Sequence, residues 1–281
     1  RACPFFFIRY KQGGTMVKII FFDIDGTLLA KKQKHISEEV IQALYHLKQQ
    51  GILLCIATGR HMEEIKQLHV CDDFAFDQYI TLNGCYCITD QHKCIYKAPI
   101  NKQDVINITA ALNTIEAAYT VVTKHGSFLN KVDKHTLAAY KELQTPMPTL
   151  ASLDNIIDEE ILQIIPYLSK EQLDTVIPSI GSCQITQWHP FGYDILSCQG
   201  GKEAGIDKVL EYYNIDPSHT MAFGDGLNDI GMLKKVNIGI CMGNGTAETK
   251  KVSSYITKNV DKNGIIYALK HYGILVEDKI H

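Results

Sequence analysis

Residues 17–29, Val-Lys-Ile-Ile-Phe-Phe-Asp-Ile-Asp-Gly-Thr-Leu-Leu, constrain this chain more than any other stretch. A short continuous apolar run ending in turn residues reads as a strand buried on both faces, as in a parallel sheet. Two carboxylates follow at once, then Gly26, where the chain can turn. Side chains two apart in an extended segment share a face, so Asp23 and Asp25 are expected to project together from the strand's C-terminal end. In open α/β sheets ligands bind at that end. Two carboxylates about 4 Å apart, at an effective dielectric near 20, repel by roughly 4 kcal/mol. A hard cation that prefers oxygen ligands, such as Mg²⁺, would offset this. Taken alone, Asp-x-Asp-Gly reads equally well as a solvated turn.

The rest of the chain tips that balance. Ser37 is placed to cap a helix with Glu38 and Glu39 in its first turn, and the helix stops near Gly51. Ile52–Ala57 reads as a second buried strand, followed by Thr58-Gly59-Arg60 at the start of a helix. A hydroxyl, backbone N–H groups and a helix dipole converge there, which suits an anion, although a plain helix cap has the same residues. Tyr79–Leu82 is a third strand, ending at Asn83-Gly84. Beyond it the regular strand–helix rhythm stops. A hairpin over Cys85–Lys97, a helix near 102–116, strands near 119–124 and 161–168, and a second hairpin over Cys183–Ser197 read as an inserted α+β unit, about 85–194.

The rhythm resumes at Gly200-Gly201-Lys202, which opens a helix to Tyr213. Thr220–Phe223 is another buried strand. It ends in Gly224-Asp225-Gly226-Leu227-Asn228-Asp229, so Asp225 leaves a strand end as Asp23 does. Gly243-Asn244-Gly245 is a turn but not a nucleotide loop, because the Lys-Ser/Thr pair is missing. A strand over Val252–Thr257 and a helix over Gly264–Tyr272 close the chain.

Asp23-x-Asp-Gly-Thr27 after an apolar strand, Thr58-Gly59, Lys202 and Gly224-Asp-x-x-Asn-Asp229, in that order, resemble the motifs of the haloacid dehalogenase (HAD) superfamily. The size and position of the insert narrow the resemblance to Cof-type phosphatases with a type IIB cap. The resemblance runs from about Met16 to about Gly273. It implies a Rossmann-like core with a parallel sheet (16–84 and 195–281) and an α+β cap (85–194). It further implies Mg²⁺-dependent hydrolysis of small phosphorylated metabolites through an aspartyl-phosphate. Asp23 would be the nucleophile and Asp25 the general acid and base. Asp23, the backbone carbonyl of Asp25 and Asp225 would hold the metal, with Asp229 behind or beside them. Thr58, Gly59, Lys202, Asn228 and the Ile24 N–H would bind the phosphoryl oxygens. Gly201 and Glu203 beside Lys202 depart from the usual pattern, which leaves the loop geometry there open. A phosphomutase would use the same Asp pair. A non-catalytic phosphate-binding protein is a third reading, disfavoured because Asp23, Asp25 and Asp225 are all present.

The insert would exclude water and contact the leaving group. Arg60, Asn83, Gly84 and the loops near 125–130 and 189–193 are candidates for specificity. Trp188 and Phe191 read as insert core, and His125 and His189 as surface residues.

Bulk properties exclude other classes. At 46% apolar and 21% charged, the composition is that of an ordinary globular protein. A net charge of −3 argues against nucleic acid, and it means that an anionic substrate must be attracted locally. No apolar run is long enough to span a membrane, unlike the transport ATPases that share Asp-nucleophile chemistry. Nine Cys without a Cys-x-x-Cys pair point to a reducing, cytoplasmic setting. Cys85, Cys87, His92 and Cys94 are better read as alternate positions of a hairpin than as a metal site. The expected partner is a small phosphate ester, and the chain could be a monomer or a homodimer. Residues 1–15 read as a tag or non-native leader, too short in their apolar core for a secretory signal.

Overall fold

The computed structural model describes residues 16–275 apart from Lys32, Gln144 and Thr145. The leader reading of residues 1–15 lies outside the described residues.

The first strand, β1 (Ile19–Phe22), is buried at every position. Ile20 and Phe22 face one core, and Ile19 and Phe21 face another on the opposite side. A sheet covered on both faces requires that pattern. Helix α1 (Glu38–Gln49) starts at Ser37, whose hydroxyl accepts from the Val40 N–H. It leads to β2 (Leu53–Ala57), the short helices α2 (Met62–Gln67) and α3 (Val70–Asp73), and β3 (Gln78–Thr81). The hairpin β4 (Tyr86–Thr89) and β5 (Cys94–Lys97) follows.

The insert contains α4 (Lys102–Thr114), β6 (Ala118–Thr123), β7 (Gly126–Leu129), α5 (Lys134–Leu143), β8 (Thr149–Leu150), β9 (Gln163–Tyr167), α6 (Lys170–Val176), β10 (Gln184–His189) and β11 (Gly192–Leu196). The chain returns through α7 (Lys202–Tyr213), β12 (Thr220–Gly224), α8 (Ile230–Lys235), β13 (Ile238–Cys241), α9 (Ala247–Val252), β14 (Tyr255–Ile256) and α10 (Gly264–His271).

Two sheets result. The large one runs β14-β13-β12-β1-β2-β3-β4-β5, and the small one β10-β11-β9-β6-β7-β8. The large sheet is parallel from β14 to β3, with β4 and β5 added antiparallel at one edge. One face of the small sheet packs against α4 and α6 through Val105, Ile108, Val121, Ile164, Leu173 and Ile195. Leu82 and Cys85 meet Val122, Leu162 and Leu196 in an apolar seam between core and insert.

Three expectations need correction. The hairpin Tyr86–Lys97, read as part of the insert, pairs with β3 and belongs to the large sheet. At the other end, β11 runs through Leu196 in the small sheet, past the expected limit of 194. An alternating hairpin fits either sheet equally well, so its own pattern could not assign it. Finally, Ala247–Val252 is a helix, capped by the Thr246 hydroxyl accepting from the Thr249 N–H, and only Tyr255–Ile256 of the expected last strand pairs.

The crossing between core and insert is tight. The Gly201 N–H donates to the Asn83 carbonyl at 2.8 Å. Gly84 has φ +85, and a Cβ there would lie 1.9 Å from the Gly201 carbonyl oxygen. Only glycine fits both the backbone angle and the space.

Phe22 is fully buried and stacks on Phe223 at 5.2 Å across the β1–β12 pair. Phe22→Ala should lower stability by about 3–5 kcal/mol, read as a fall in the urea midpoint with unchanged slope.

Candidate active site

The site forms where β1 and β12 lie side by side and the chain leaves the sheet in both directions. This is the switch point at which α/β sheets bind ligands. The Asp23 N–H donates to the Phe223 carbonyl at 3.0 Å, which ties the end of β1 to β12. The chain then turns sharply. The Ile24 carbonyl accepts from the Leu28 and Leu29 N–H groups at 3.0 and 2.9 Å. Gly26 has φ +86, and a Cβ there would lie 2.2 Å from Asp225 Oδ2. Thr27 Oγ1 donates to Asp225 Oδ1 at 3.3 Å. Asn244 Nδ2 donates both to the Gly26 carbonyl at 2.8 Å and to Asp225 Oδ2 at 3.2 Å.

Lys202 enters from the start of α7 and is 1% exposed. Its Nζ donates to Asp23 Oδ1 at 2.7 Å and to Asp229 Oδ1 at 2.6 Å. The other Asp229 oxygen accepts from the Asp225 and Gly226 N–H groups at 2.8 and 2.9 Å. Both Asp229 oxygens are therefore engaged. Burial opposes the charge on Lys202, but Asp229 and Asp23 outweigh it and hold Lys202 above the ordinary lysine range. Burial pushes Asp23 well above the usual carboxylate range against the pull of Lys202, and the charges of Asp229, Asp225 and Asp25 add to it. Burial, together with the charge of Asp229, pushes Asp225 up to about 7.

Asp23, Asp225 and Asp229 each bring a carboxylate oxygen within 4.8 Å of the others. One ammonium offsets only part of three negative charges, and the charge of Asp229 adds to the effect of burial at Asp225. The cluster could hold a metal ion: its donors are all oxygen, as a hard cation requires. Each of Asp23, Asp225 and Asp229 offers one such oxygen, Asp229 being the one that carries the most hydrogen bonds.

Asp25 does not join this cluster. Its side chain is 54% exposed and is gripped by Arg60, with Nε on Oδ2 at 2.6 Å and a terminal nitrogen on Oδ1 at 2.8 Å. Beyond Asp23 the chain curls into a bridge between Asp25 and Leu29, and the charge of Asp25 still acts on Asp23 and Asp225.

Thr58 leaves β2 with its N–H on the Ile80 carbonyl, and its hydroxyl accepts from the Arg60 N–H at 3.2 Å. His61, not Gly59 or Arg60, caps α2: its Nδ1 accepts from the Glu63 N–H at 3.2 Å. Its ring faces the Thr123 and Lys124 backbone in the insert, and burial holds its pKa below the usual histidine value. Gly59 lies against the Asn83 amide, about which a Cβ would come within 3.1 Å. Asn228 is exposed and donates to Asn83 Oδ1 at 3.0 Å.

Asn83, read only as a specificity candidate, is a buried hub. The Arg60 fork on Asp25, the Thr27 and Asn244 bonds to Asp225, and Asp194 were not legible. Each joins residues far apart in sequence, except that Asn244 lies in a turn already noticed. Among the insert residues, His125 is exposed as expected. His189 is buried, its Nδ1 accepting from the Phe191 N–H. Trp188 is 36% exposed and covers Gly192, while Phe191 stacks on His135; neither ring belongs to the insert core. Cys87 and Cys94 sit on the β4–β5 hairpin and Cys85 directly precedes it, and the acidic trio is the one metal-type cluster among the described residues.

An α/β core with an acidic, lysine-bridged switch point beneath an inserted lid is the design of a phosphoryl-transfer hydrolase. The sequence model of the haloacid dehalogenase-like hydrolases matches residues 20–269, and the chain belongs to that family, as a Cof-type phosphatase. It is 30% identical over 261 residues to "Putative phosphatase YkrA" of Bacillus subtilis (strain 168), covering 92% of this chain and 98% of that one. The solved structure of BT1666 from Bacteroides thetaiotaomicron, described among HAD phosphatases, superposes with a TM-score of 0.87 at 30% identity, over 95% of this chain and 99% of that one. The HAD subclass IIB sugar phosphatase BT4131 gives a TM-score of 0.82 at 32% identity, over 92% of this chain and 100% of that one.

Lys202→Met leaves the buried carboxylates without their cation and should cost about 3–5 kcal/mol near pH 8. The folded Asp23 pKa is raised, and losing Lys202 raises it further. The folded state then favours the protonated acid, so stability is retained at low pH and lost as pH rises through the folded pKa. Urea unfolding with EDTA at pH 5 and pH 8 should show the larger deficit at pH 8.

Proposed function

We propose that the protein is a Mg²⁺-dependent phosphatase of small phosphorylated metabolites, sugar phosphates first among them, working through an aspartyl-phosphate on Asp23. The observation that carries this reading is the convergence of Asp23, Asp225, Asp229 and Lys202 at the ends of β1 and β12. The likeness to a sugar phosphatase supports the substrate class.

Hydrolysis of a phosphate monoester is among the slowest uncatalysed reactions, so positioning and charge stabilisation must supply most of the acceleration. Asp23 attacks phosphorus while its N–H bond to Phe223 holds it in place. Lys202 keeps one Asp23 oxygen engaged, which orients the other, and brings positive charge to where the phosphoryl oxygens gather. Mg²⁺, held by Asp23, Asp225 and the Asp25 carbonyl with Asp229 behind them, would offset the repulsion between carboxylate and phosphate. Thr58, the Gly59 and Ile24 N–H groups and Asn228 take the remaining phosphoryl oxygens. Asp25 protonates the leaving oxygen and later takes a proton from the attacking water. Arg60 must loosen its fork for Asp25 to carry that proton, since a bidentate guanidinium favours the carboxylate. Eight described cysteines, all unpaired, support a cytoplasmic setting.

Release of free phosphate from p-nitrophenyl phosphate and a panel of sugar phosphates, flavin mononucleotide and pyridoxal phosphate tests this reading. Turnover should require Mg²⁺, vanish with EDTA, and fall by about 10⁴-fold or more in Asp23→Asn. Activity that survives Asp23→Asn contradicts the nucleophile. Transfer to a second sugar hydroxyl without free phosphate would instead identify a phosphomutase.

A further inference from the structure

A chain of side-chain hydrogen bonds runs from the proposed phosphate pocket into the insert. Asn228 Nδ2 donates to Asn83 Oδ1 at 3.0 Å, and Asn83 Nδ2 donates to Asp194 Oδ2 at 2.9 Å. Asp194 lies on β11 in the small sheet, buried, and also accepts from Gln163 and the Trp188 indole. Asn83 is 4% exposed and holds a left-handed backbone conformation, φ 49 and ψ 42, which asparagine tolerates better than most residues. It packs directly on Gly59.

The polarity of this chain runs one way. Burial pushes Asp194 up to about 7, and above that pH the carboxylate can only accept, so the side of Asn83 that faces it is the NH₂ group, as the 2.9 Å bond has it. The Asn83 carbonyl oxygen then faces Asn228, which must in turn present its own NH₂. One hydrogen of that group goes to Asn83, and the second remains for an anion beside Gly59. Were the Asn83 amide reversed, the Asn228 oxygen would be drawn toward Asn83 and that hydrogen withdrawn. The acid on the insert therefore sets the orientation of two amides in the core.

We propose that Asp194 is a positioning residue for phosphate binding: through Asn83 it turns the Asn228 N–H toward the phosphoryl group, so the pocket is complete only when the insert is seated. This rests on the phosphatase reading for the identity of the anion. Asp194 itself touches no reacting atom. The insert thereby reports its closure to the phosphate through hydrogen-bond polarity, separately from any contact it makes with the leaving group.

The test is a set of mutant cycles on the full chain, with binding of inorganic phosphate in Mg²⁺ measured by calorimetry and p-nitrophenyl phosphate turnover measured in parallel. Asp194→Asn should weaken phosphate binding roughly tenfold, and raise KM more than it lowers kcat. Asn83→Ala should do the same, and the double variant should be no worse than Asn83→Ala alone. Asp194→Asn should also be silent in an Asn228→Ala background. Should Asp194→Asn fail to fold, Asp194→Ser takes its place in both cycles. Unchanged phosphate affinity in the Asp194 variant, or effects that add in the double variants, would overturn the proposal. A wild type that turns over substrate while Asp194→Asn binds phosphate normally removes only this proposal. A wild type that binds phosphate, loses it in the variant and turns over nothing removes only the phosphatase reading.

Discussion

The buried ammonium of Lys202 between Asp23 and Asp229 is the interaction on which the rest of the site depends. Moving a charge out of water costs several kcal/mol unless partners meet it at hydrogen-bond distance. Here both contacts are below 2.8 Å and all three side chains are buried. The partners come from the end of β1, the start of α7 and the turn after β12. The ion group can form only when β1 and β12 are paired and α7 is docked beneath them. Fold and site are in this sense one structure, because among the described residues no other buried cation bridges Asp23 and Asp229.

The negative charge is left deliberately incomplete in its compensation. Three carboxylates face one ammonium, and Asp225 is pushed up to about 7 first by burial and then by the charge of Asp229. The chain as a whole carries −3, so nothing in its overall field draws an anion in. Attraction has to be built at the site, by a cation on the acidic oxygens, by Lys202 and by backbone N–H groups. The Asp229 bonds to two N–H groups show the same economy, since they shape the Asp225 turn while leaving one oxygen for Lys202.

The insert meets this centre at more than one level. An apolar seam through Leu82, Cys85, Val122, Leu162 and Leu196 supplies non-directional cohesion. His61 sets the start of α2 against the β6–β7 turn, and the Asn83 hydrogen bond ties the core to Asp194. Both polar links leave the segment that carries Thr58 and Gly59 or pack against it. The surroundings of Thr58 and Gly59, on the side away from the metal-type cluster, are therefore shaped partly from the insert.

By itself the sequence determined the buried strand, the Asp23-x-Asp25-Gly turn, the Gly224–Asp229 motif, the presence of an insert between Thr58 and Lys202, and the family to which these belong. All are local patterns: periodicity reports burial on both faces, and spacing reports which groups leave a strand end together. The tertiary structure decided which distant groups meet. Lys202 reaches Asp23 across 179 positions and Asn83 reaches Asp194 across 111. It also sent Asp25 to Arg60 and placed the Tyr86–Lys97 hairpin in the large sheet. A hairpin's alternation states that one face is buried but not against which neighbour, and a carboxylate's position in a motif does not name the cation nearest to it. Those choices are made when the sheets pack, because only then do the competing partners come within hydrogen-bond reach.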